Sequence, residues 1–346
     1  MNMEQEYKHI VATHCLTYNH APYIKDAMNG FCMQETTFPF VCIIIDDAST
    51  DGEPEVINNY LQEHFDLDGE ALARNEETED YRLIFAQHKT NRNCFFAVFF
   101  LKYNHYSIKK AKRPYFSEWD GSAKYIALCE GDDYWIHPKK LQMQVEFMEN
   151  HPEYVMCHTD FDLSNGKMRN HANSVVLEDN YFPYSITHGI QIGTLTTLYR
   201  TDVFLRLPRL YVGKGWHMGD KPLWIELSHE GKIRYIPIVT AHYRQLSNSA
   251  SHGGLDKEIE FANAGIEVKR FYASYYGIEL QNNGLSKRYY TTMMKCAYKH
   301  RRKDVARRYY KEAREMNLSS IRTGVFYFAT IFTLVGWLLR KIYRDA

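Results

Sequence analysis

The sequence lacks most of the features that would assign it to a protein class at once. Its 42 lysines and arginines equal its 42 aspartates and glutamates, so no net basic charge indicates nucleic-acid binding. The 19 glycines and 10 prolines form no low-complexity segment. Because 45% of the 346 residues are hydrophobic and 24% are charged, as in globular proteins, disordered and fibrous classes are excluded.

Cysteine and glycine motifs are also missing. The seven cysteines form no C-x-x-C pair and several lie in apolar runs, which predicts buried reduced thiols and a reducing compartment. The polar N-terminal stretch MNMEQEYKHI predicts that there is no signal peptide. Neither G-x-G-x-x-G nor G-x-x-x-x-G-K-[ST] occurs, so a dinucleotide site or a P-loop is not supported.

The first half of the chain alternates between strand and helix patterns. Strands are predicted at 9–16, 40–45, 81–86 and 124–129, and helices at 22–31, 53–65, within the Phe-rich stretch 94–110, and at 138–150. Repeated strand–helix–strand units predict an α/β fold with a mostly parallel sheet and helices on both faces. Further on, strands are expected at 191–200 and 232–239, and helices at 217–230 and across 256–318.

Polar residues follow three of these strands, where an open parallel sheet binds its ligands. The first strand is followed by Thr17-Tyr18-Asn19, the second by the run from Asp46 to Gly52, and the fourth by Glu130-Gly131-Asp132-Asp133. Paired acids at a strand end suit Mg²⁺ or Mn²⁺, which takes one or two carboxylates together with substrate phosphate oxygens. The alternative for the last cluster is a turn that merely caps the helix after Pro138.

The Asp46–Gly52 turn also has two interpretations. Ser49 and Asp51 suit N-cap positions of the following helix, which leaves Asp46 and Asp47 unexplained. A carboxylate at a strand end could bind a nucleobase or a sugar hydroxyl, and Tyr18 could stack on a flat base.

Together these segments resemble the family-2 glycosyltransferases of GT-A fold. The resemblance is carried, in order, by TYNHAPYI, FVCIIIDDASTDG and YIALCEGDDYWIHPKKLQMQVEFM. It covers about residues 9–160 and continues more weakly over 190–252. It implies a GT-A domain at 1–255, followed by a helical extension at 256–320 and an apolar, basic tail at 321–346.

The resemblance also implies roles for individual residues. The nucleotide pocket would be formed by Leu16, Tyr18, Ile45, Asp47 and Glu130. Asp132 would be the metal ligand and Asp220 the catalytic base, although Asp220 could instead be the N-cap of its helix. Further candidates for the site are Asp46, Asp133, Arg244 and His252. The sequence departs from the family pattern at Leu16, at Glu130 and at Gly219, where the family usually has Pro, Asp and Glu.

The implied function is an inverting glycosyltransferase that uses Mg²⁺ or Mn²⁺ and a nucleotide-sugar donor, with a UDP-sugar favoured. The acceptor would be a glycan or a lipid-linked molecule, in surface polysaccharide or lipopolysaccharide assembly. The alternative is an inactive carbohydrate-binding or scaffold module of the same fold, which Glu130 and Gly219 favour.

The tail differs from the rest of the chain in charge. Residues 281–346 contain 15 lysines and arginines but only four acids, and 323–339 is a 17-residue apolar run. As a helix this run is about 25 Å long, short of the roughly 30 Å apolar thickness of a bilayer. We therefore expect an interfacial segment on an anionic membrane, which would make the protein cytoplasmic and peripheral on the inner face of the plasma membrane. The alternative is a helix packed on the 285–316 pair.

Overall fold

A computed structural model describes residues 7–68, 74–163, 168–169, 181–187, 192–216, 218–246, 254–280 and 282–332. By their contacts the residues form two units. The first comprises Met1–Tyr181, Gln191–Leu207 and Glu230–Gln245, and the second Phe182–Ile190, Pro208–His229 and Leu246–Ala346. The predicted domain boundaries at 255 and 320 stay predictions.

The elements alternate in the first unit and are helical in the second. The strands are β1 His9–Thr17, β2 Phe40–Asp46, β3 Phe65–Asp66, β4 Arg74–Glu77, β5 Tyr81–His88, β6 Cys94–Leu101, β7 Ala123–Leu128, β8 Tyr134–Trp135, β9 Tyr154–Leu163, β10 Met168–Arg169, β11 Thr197–Arg200 and β12 Lys232–Tyr243. The helices are α1 Ile24–Cys32, α2 Glu53–His64, α3 Arg113–Gly121, α4 Lys140–Asn150, α5 Tyr184–Thr187, α6 Thr201–Arg206, α7 Asp220–Glu230, α8 Leu255–Tyr275, α9 Asn282–Lys299, α10 Lys303–Glu315 and α11 Ile321–Ile331.

One sheet runs through the first unit in the order β3-β5-β6-β2-β1-β7-β11-β9-β12-β8. Its centre, β6-β2-β1-β7, is parallel, and antiparallel strands adjoin it through β5 and β11. The predicted α/β fold, with a mostly parallel central sheet and C-terminal helices, is confirmed.

Strand β2 shows why the core needs a continuous apolar run. Every residue of Phe40–Asp46 is buried. Phe40, Cys42 and Ile44 pack into a cluster that includes residues of α1 and α2, whereas Val41, Ile43 and Ile45 face a second cluster that includes residues of α3. Since side chains alternate across a strand, a strand covered on both faces has no polar face.

The prediction of a helix within 94–110 is wrong. Cys94–Leu101 is strand β6, paired parallel to β2 and antiparallel to β5. Phe96 and Val98 pack on one face of the sheet, while Ala97 and Phe99 pack on the other. A strand buried on both faces lacks the alternation that marks a strand in the sequence, so its aromatic run could be read as a helix.

The helices of the second unit form two apolar clusters. Met218 and Ile225 pack against Ala264, Val268 and Tyr272 of α8. A separate cluster joins α9, α10 and α11 around residues that include Met293, Ala306 and Tyr309. Within the described residues, none of the helices combines the length and the hydrophobicity that a membrane crossing requires. The part of the tail at 333–346 lies outside the described residues.

Candidate functional site

Three polar turns meet at one edge of the sheet because β2, β1 and β7 are parallel neighbours. Thr17, at the end of β1, lies opposite Asp46 at the end of β2. The Asp47 amide donates to the Thr17 carbonyl at 3.0 Å, and the Gly131 amide donates to the Leu16 carbonyl at 3.0 Å. The three clusters predicted from the sequence therefore lie side by side.

Glu53, the first residue of α2, ties the first two turns together. Its side chain is fully buried. One carboxylate oxygen accepts hydrogen bonds from the Ser49 hydroxyl and the His20 amide, each at 2.8 Å, and the other accepts from the Thr17 hydroxyl. Glu53 was not predicted as a site residue; its only signal in the sequence is an acid directly after Gly52 at a helix start.

Gly131 lets the acidic turn approach β1. A Cβ at this position would lie 2.1 Å from Thr17 Oγ1 and 2.5 Å from Thr17 Cβ, closer than any atoms can pack. The residue between Glu130 and Asp132 must therefore be glycine for the turn to keep its place beside Thr17.

Asp132 and Glu130 are the partly exposed acids of this turn, whereas Asp133 is buried. The Asp132 side chain is 21% exposed, and its Oδ2 lies 4.0 Å from Nε2 of His20. The other ring nitrogen of His20, Nδ1, lies 3.1 Å from Thr17 Oγ1. Glu130 is partly exposed, and its carbonyl accepts the Asp133 amide at 3.2 Å. No role was predicted for His20, which follows the T-Y-N turn directly.

Arg244 stabilises the acidic turn through hydrogen bonds to Asp133 and Asp132. The Arg244 amide donates to the buried Asp133 carboxylate at 2.8 Å, and its guanidinium donates to the Asp132 carbonyl at 2.8 Å. The guanidinium also pairs with Asp26 and lies 4.4 Å from the ring centre of Tyr134. Burial, followed by the nearby charges of Asp132 and Glu130, raises the pKa of Asp133 well above its usual range.

Asp47 is buried and already bound by three donors. It accepts the backbone amides of His105 at 2.7 Å and Tyr106 at 3.1 Å, and it pairs with Lys112 Nζ at 2.7 Å. In this structure the carboxylate anchors the turn after β6, so binding of a base by Asp47 would require these donors to yield. The nucleotide-binding role of Asp47 stays a prediction.

The other predicted pocket residues differ in accessibility. Leu16 and Tyr18 are 40% and 45% exposed, so both can contact a ligand. Ile45 is fully buried within the sheet core, so its side chain offers no surface to a nucleotide. Asp46 is also buried, and its Oδ1 accepts the Ser49 amide at 3.1 Å; burial raises its pKa to about 6.

Asp220 is the first residue of α7 in the second unit, and its side chain is partly exposed. The capping carbonyl of this helix belongs to Gly219, which accepts the Leu223 amide at 3.3 Å. Among the described residues, no side chain or amide is hydrogen-bonded to the Asp220 carboxylate. The N-cap of α7 is therefore Gly219 and not Asp220. The role of Asp220 as the catalytic base stays a prediction. The candidate His252 lies outside the described residues.

The acidic turn fits a metal that is shared with substrate, not one enclosed by protein. Across the ranges that the structure describes, no three His, Cys, Asp or Glu side chains converge as a metal cage. A Mg²⁺-type ion needs only one or two carboxylates, because waters and phosphate oxygens complete its octahedron. The accessible Asp132 carboxylate next to Glu130 meets that requirement.

The family model of glycosyl transferase family 2 matches residues 15–204. Uncharacterized proteins of Mycobacterium tuberculosis and Mycobacterium bovis are 34% identical to this chain over 142 residues, which is 41% of this chain and 32% of each relative. The chain thus spans about a third of the length of the curated relatives that it matches.

Two solved structures were found by comparison with this chain. The mannosyltransferase PcManGT from Pyrobaculum calidifontis, in complex with GDP-Man and Mn²⁺, has a TM-score of 0.52 at 12% identity, covering 98% of this chain and 83% of its own. S. aureus TarS 1-349, in complex with UDP-GlcNAc, has a TM-score of 0.43 at 13% identity, covering 92% and 86%. The first likeness confirms the GT-A type of fold.

Proposed function

The chain belongs to glycosyl transferase family 2, and from that premise we propose that it transfers a sugar from a nucleotide-diphosphate donor to a hydroxyl of an acceptor. The observation that supports this most is the meeting of the T-Y-N, D-D-x-S-x-D-G and E-G-D-D turns at the carboxyl ends of β1, β2 and β7. That edge of an open sheet is where nucleotides bind.

The donor is recognised, on this proposal, at the exposed part of the edge. Tyr18 and Leu16 offer the accessible apolar surface, and the ring of Tyr18 suits stacking on a base. The similar structures hold UDP-GlcNAc and GDP-Man, which supports a nucleotide-sugar as the donor. We favour a UDP-sugar.

Asp132, with Glu130 beside it, would hold Mg²⁺ or Mn²⁺. When bound, the ion supplies positive charge that stabilises the departing diphosphate. The PcManGT structure contains Mn²⁺, which agrees with this choice of cofactor. His20 and Arg244 position the acidic turn, because they contact Asp132 through its carboxylate and its carbonyl.

Asp220 acts as the base in the proposed reaction. Its carboxylate takes the proton from the acceptor hydroxyl, whose oxygen forms a bond to the anomeric carbon as the bond from that carbon to the diphosphate breaks. One displacement inverts the configuration at the anomeric carbon, and one carboxylate suffices because no water or covalent intermediate takes part. The acceptor is a glycan or a lipid-linked molecule of surface polysaccharide assembly.

A second candidate is an inactive module of the same fold, favoured by Glu130 and Gly219 in place of two usual acids. A screen of UDP-, GDP- and dTDP-sugars separates the two proposals. With Mn²⁺ present, an active transferase releases nucleoside diphosphate from one class of donor. The release is slow when water is the acceptor and faster when an acceptor glycan is added. No release from any donor, with or without Mn²⁺ and acceptor glycans, would favour the inactive module.

A further inference from the structure

Helix α11 presents apolar side chains that the described residues leave at least 41% exposed. They form a stripe, called here the apolar stripe, of Ile321, Val325, Phe328 and Phe332. Spacings of four, three and four residues place them on one side of the helix, and each side chain is between 41% and 89% exposed. The other side of α11 is packed, since Thr323, Ala329 and Thr330 are buried.

The apolar stripe adjoins α10 through aromatic contacts. The rings of Phe328 and Phe332 are stacked with centres 6.1 Å apart. Phe328 also meets the ring of Tyr310 edge-on at 6.5 Å, and Tyr310 is stacked on Tyr327 at 4.0 Å. Tyr310 is therefore the residue of α10 that borders the stripe.

A row of basic side chains continues the same surface on α10. Lys303, Arg307 and Arg314 lie seven and three residues before Tyr310 and four after it, so they lie on its side of the helix. All three are exposed. The ion pairs within α10 join Arg308 to Glu312 and Lys311 to Glu315, and no described carboxylate pairs with this basic row.

The two features match in length. The apolar stripe and the basic row each span 12 residues, or 11 residue steps, which is about 16 Å of helix. The segment 281–346 as a whole contains 15 lysines and arginines against four acids. Through the Phe328–Tyr310 contact, exposed apolar side chains adjoin exposed cations. This combination complements a surface that has an apolar interior and anionic groups facing water.

We propose that α10 and α11 dock the protein on an anionic lipid bilayer. The apolar stripe lies among the upper acyl chains, and the basic row lies against the headgroups, as in helices that lie in the plane of an interface. Bilayer docking is separate from the donor chemistry, so failure of one proposal leaves the other standing. It would place the enzyme where a lipid-linked acceptor is found.

The test is sedimentation of the full chain with vesicles. The protein should pellet with vesicles of phosphatidylcholine and phosphatidylglycerol but not with phosphatidylcholine alone. Raising the salt from 0.1 M to 1 M shortens the screening length from about 10 Å to about 3 Å, which should release much of the bound protein. Binding that is equal on neutral and anionic vesicles would overturn the proposal.

Variants test the two features separately. Arg307→Gln with Arg314→Gln should weaken binding to anionic vesicles about 30-fold, because each basic residue near the surface contributes about 1 kcal/mol and tenfold is about 1.4 kcal/mol. Arg308→Gln, on another side of the same helix, is the matched control and should change binding only a few-fold.

Val325→Ser with Phe328→Ser should likewise reduce binding at least tenfold, by removing apolar area from the bilayer. Val212→Ser, a change at a side chain that is 68% exposed elsewhere in the second unit, is its control. Circular dichroism melts and size-exclusion chromatography confirm folding for every variant. The proposal would be overturned if both double variants bound vesicles as wild type does. It would also be overturned if the wild type were a dimer that the stripe variant dissociates, because the stripe would then bind another copy of the chain.

Discussion

The carboxyl group of Asp46 lies in surroundings that disfavour its ionised form. Only 1% of the residue is exposed, and burial raises its pKa to about 6, although the Ser49 side chain and amide oppose the shift. An aspartate in an unfolded chain has a pKa near 3.9. The folded state therefore holds this proton more tightly than the unfolded state does.

This difference predicts a dependence of stability on pH. With the folded pKa above the unfolded pKa, the contribution is fully present below about pH 4 and is lost as the pH rises through 6. Two pKa units correspond to about 3 kcal/mol. In Asp46→Asn this loss is absent. The unfolding free energy of the variant relative to wild type should therefore rise by about 2 kcal/mol from pH 4 to pH 7. Denaturant titrations at both pH values measure this difference in unfolding free energy. The control is Asp66→Asn, a change at an exposed side chain. A difference for Asp46→Asn that changes no more with pH than the control's would contradict the prediction.

A substitution at Asp220 can separate an effect on catalysis from an effect on folding. Because Gly219 provides the capping carbonyl of α7, Asp220→Asn should fold and bind donor normally. It should lower kcat at least about a hundredfold, since base catalysis contributes about 10²–10⁴-fold. The rate of nucleoside diphosphate release with the donor found by the screen measures this effect. Asp256→Asn, a change near the start of α8, is the control, and a normal kcat in Asp220→Asn would remove the residue from the mechanism.

Individual site residues were predictable only in part. The acids at strand ends could be found, because a carboxylate after an apolar strand is visible in the sequence. The residues that hold them could not, because those contacts join distant positions: Glu53 reaches Thr17, and Gly131 makes room for the same Thr17. Arg244 was a candidate for the site, but its contact with Asp133 joins positions 111 residues apart and is not visible in the sequence.

At the scale of elements, Glu53 joins the β1–α1 turn to the β2–α2 turn. Three donors converge on its carboxylate, and Glu53→Gln would turn an amide NH₂ toward some of them. Hydrogen bonds to charged groups contribute about 1.5–3 kcal/mol each, so we expect a loss of stability of about 3 kcal/mol together with weaker donor binding.

Chemical denaturation compares this variant with Glu55→Gln, a change at an exposed glutamate of the same helix. The control should stay within about 0.5 kcal/mol of wild type. If the two variants were equally stable, Glu53 would not be the link between the turns.

The elements themselves were predictable where one physical signal dominates. β2 follows from an apolar run and α2 from the turn and cap residues that precede it. Both lie within one residue of the predicted ranges. β6 was misassigned because its two buried faces remove the strand periodicity. Of the strand predicted at 191–200, only Thr197–Arg200 forms, preceded by a short 3-10 turn.

At the scale of the molecule, the alternation of elements is enough to predict the sheet and the edge that carries the site. It does not indicate that 208–229 groups by its contacts with the C-terminal helices while 230–245 groups with the sheet. Such grouping depends on contacts between distant segments. The charge of the tail is visible in the sequence, but its arrangement as a basic row beside an apolar stripe requires the helix packing.

On the proposed function, the acidic turn binds a divalent ion together with the diphosphate of a nucleotide donor. Calorimetric titration of UDP and GDP tests this claim most directly, with wild type and Asp132→Asn, each in Mn²⁺ and in EDTA. For wild type, Mn²⁺ should tighten binding of one nucleotide at least about tenfold, within the usual range for coupled ligands, and Asp132→Asn should lose that gain. Equal binding by wild type in Mn²⁺ and EDTA, or a full gain in Asp132→Asn, would contradict the claim.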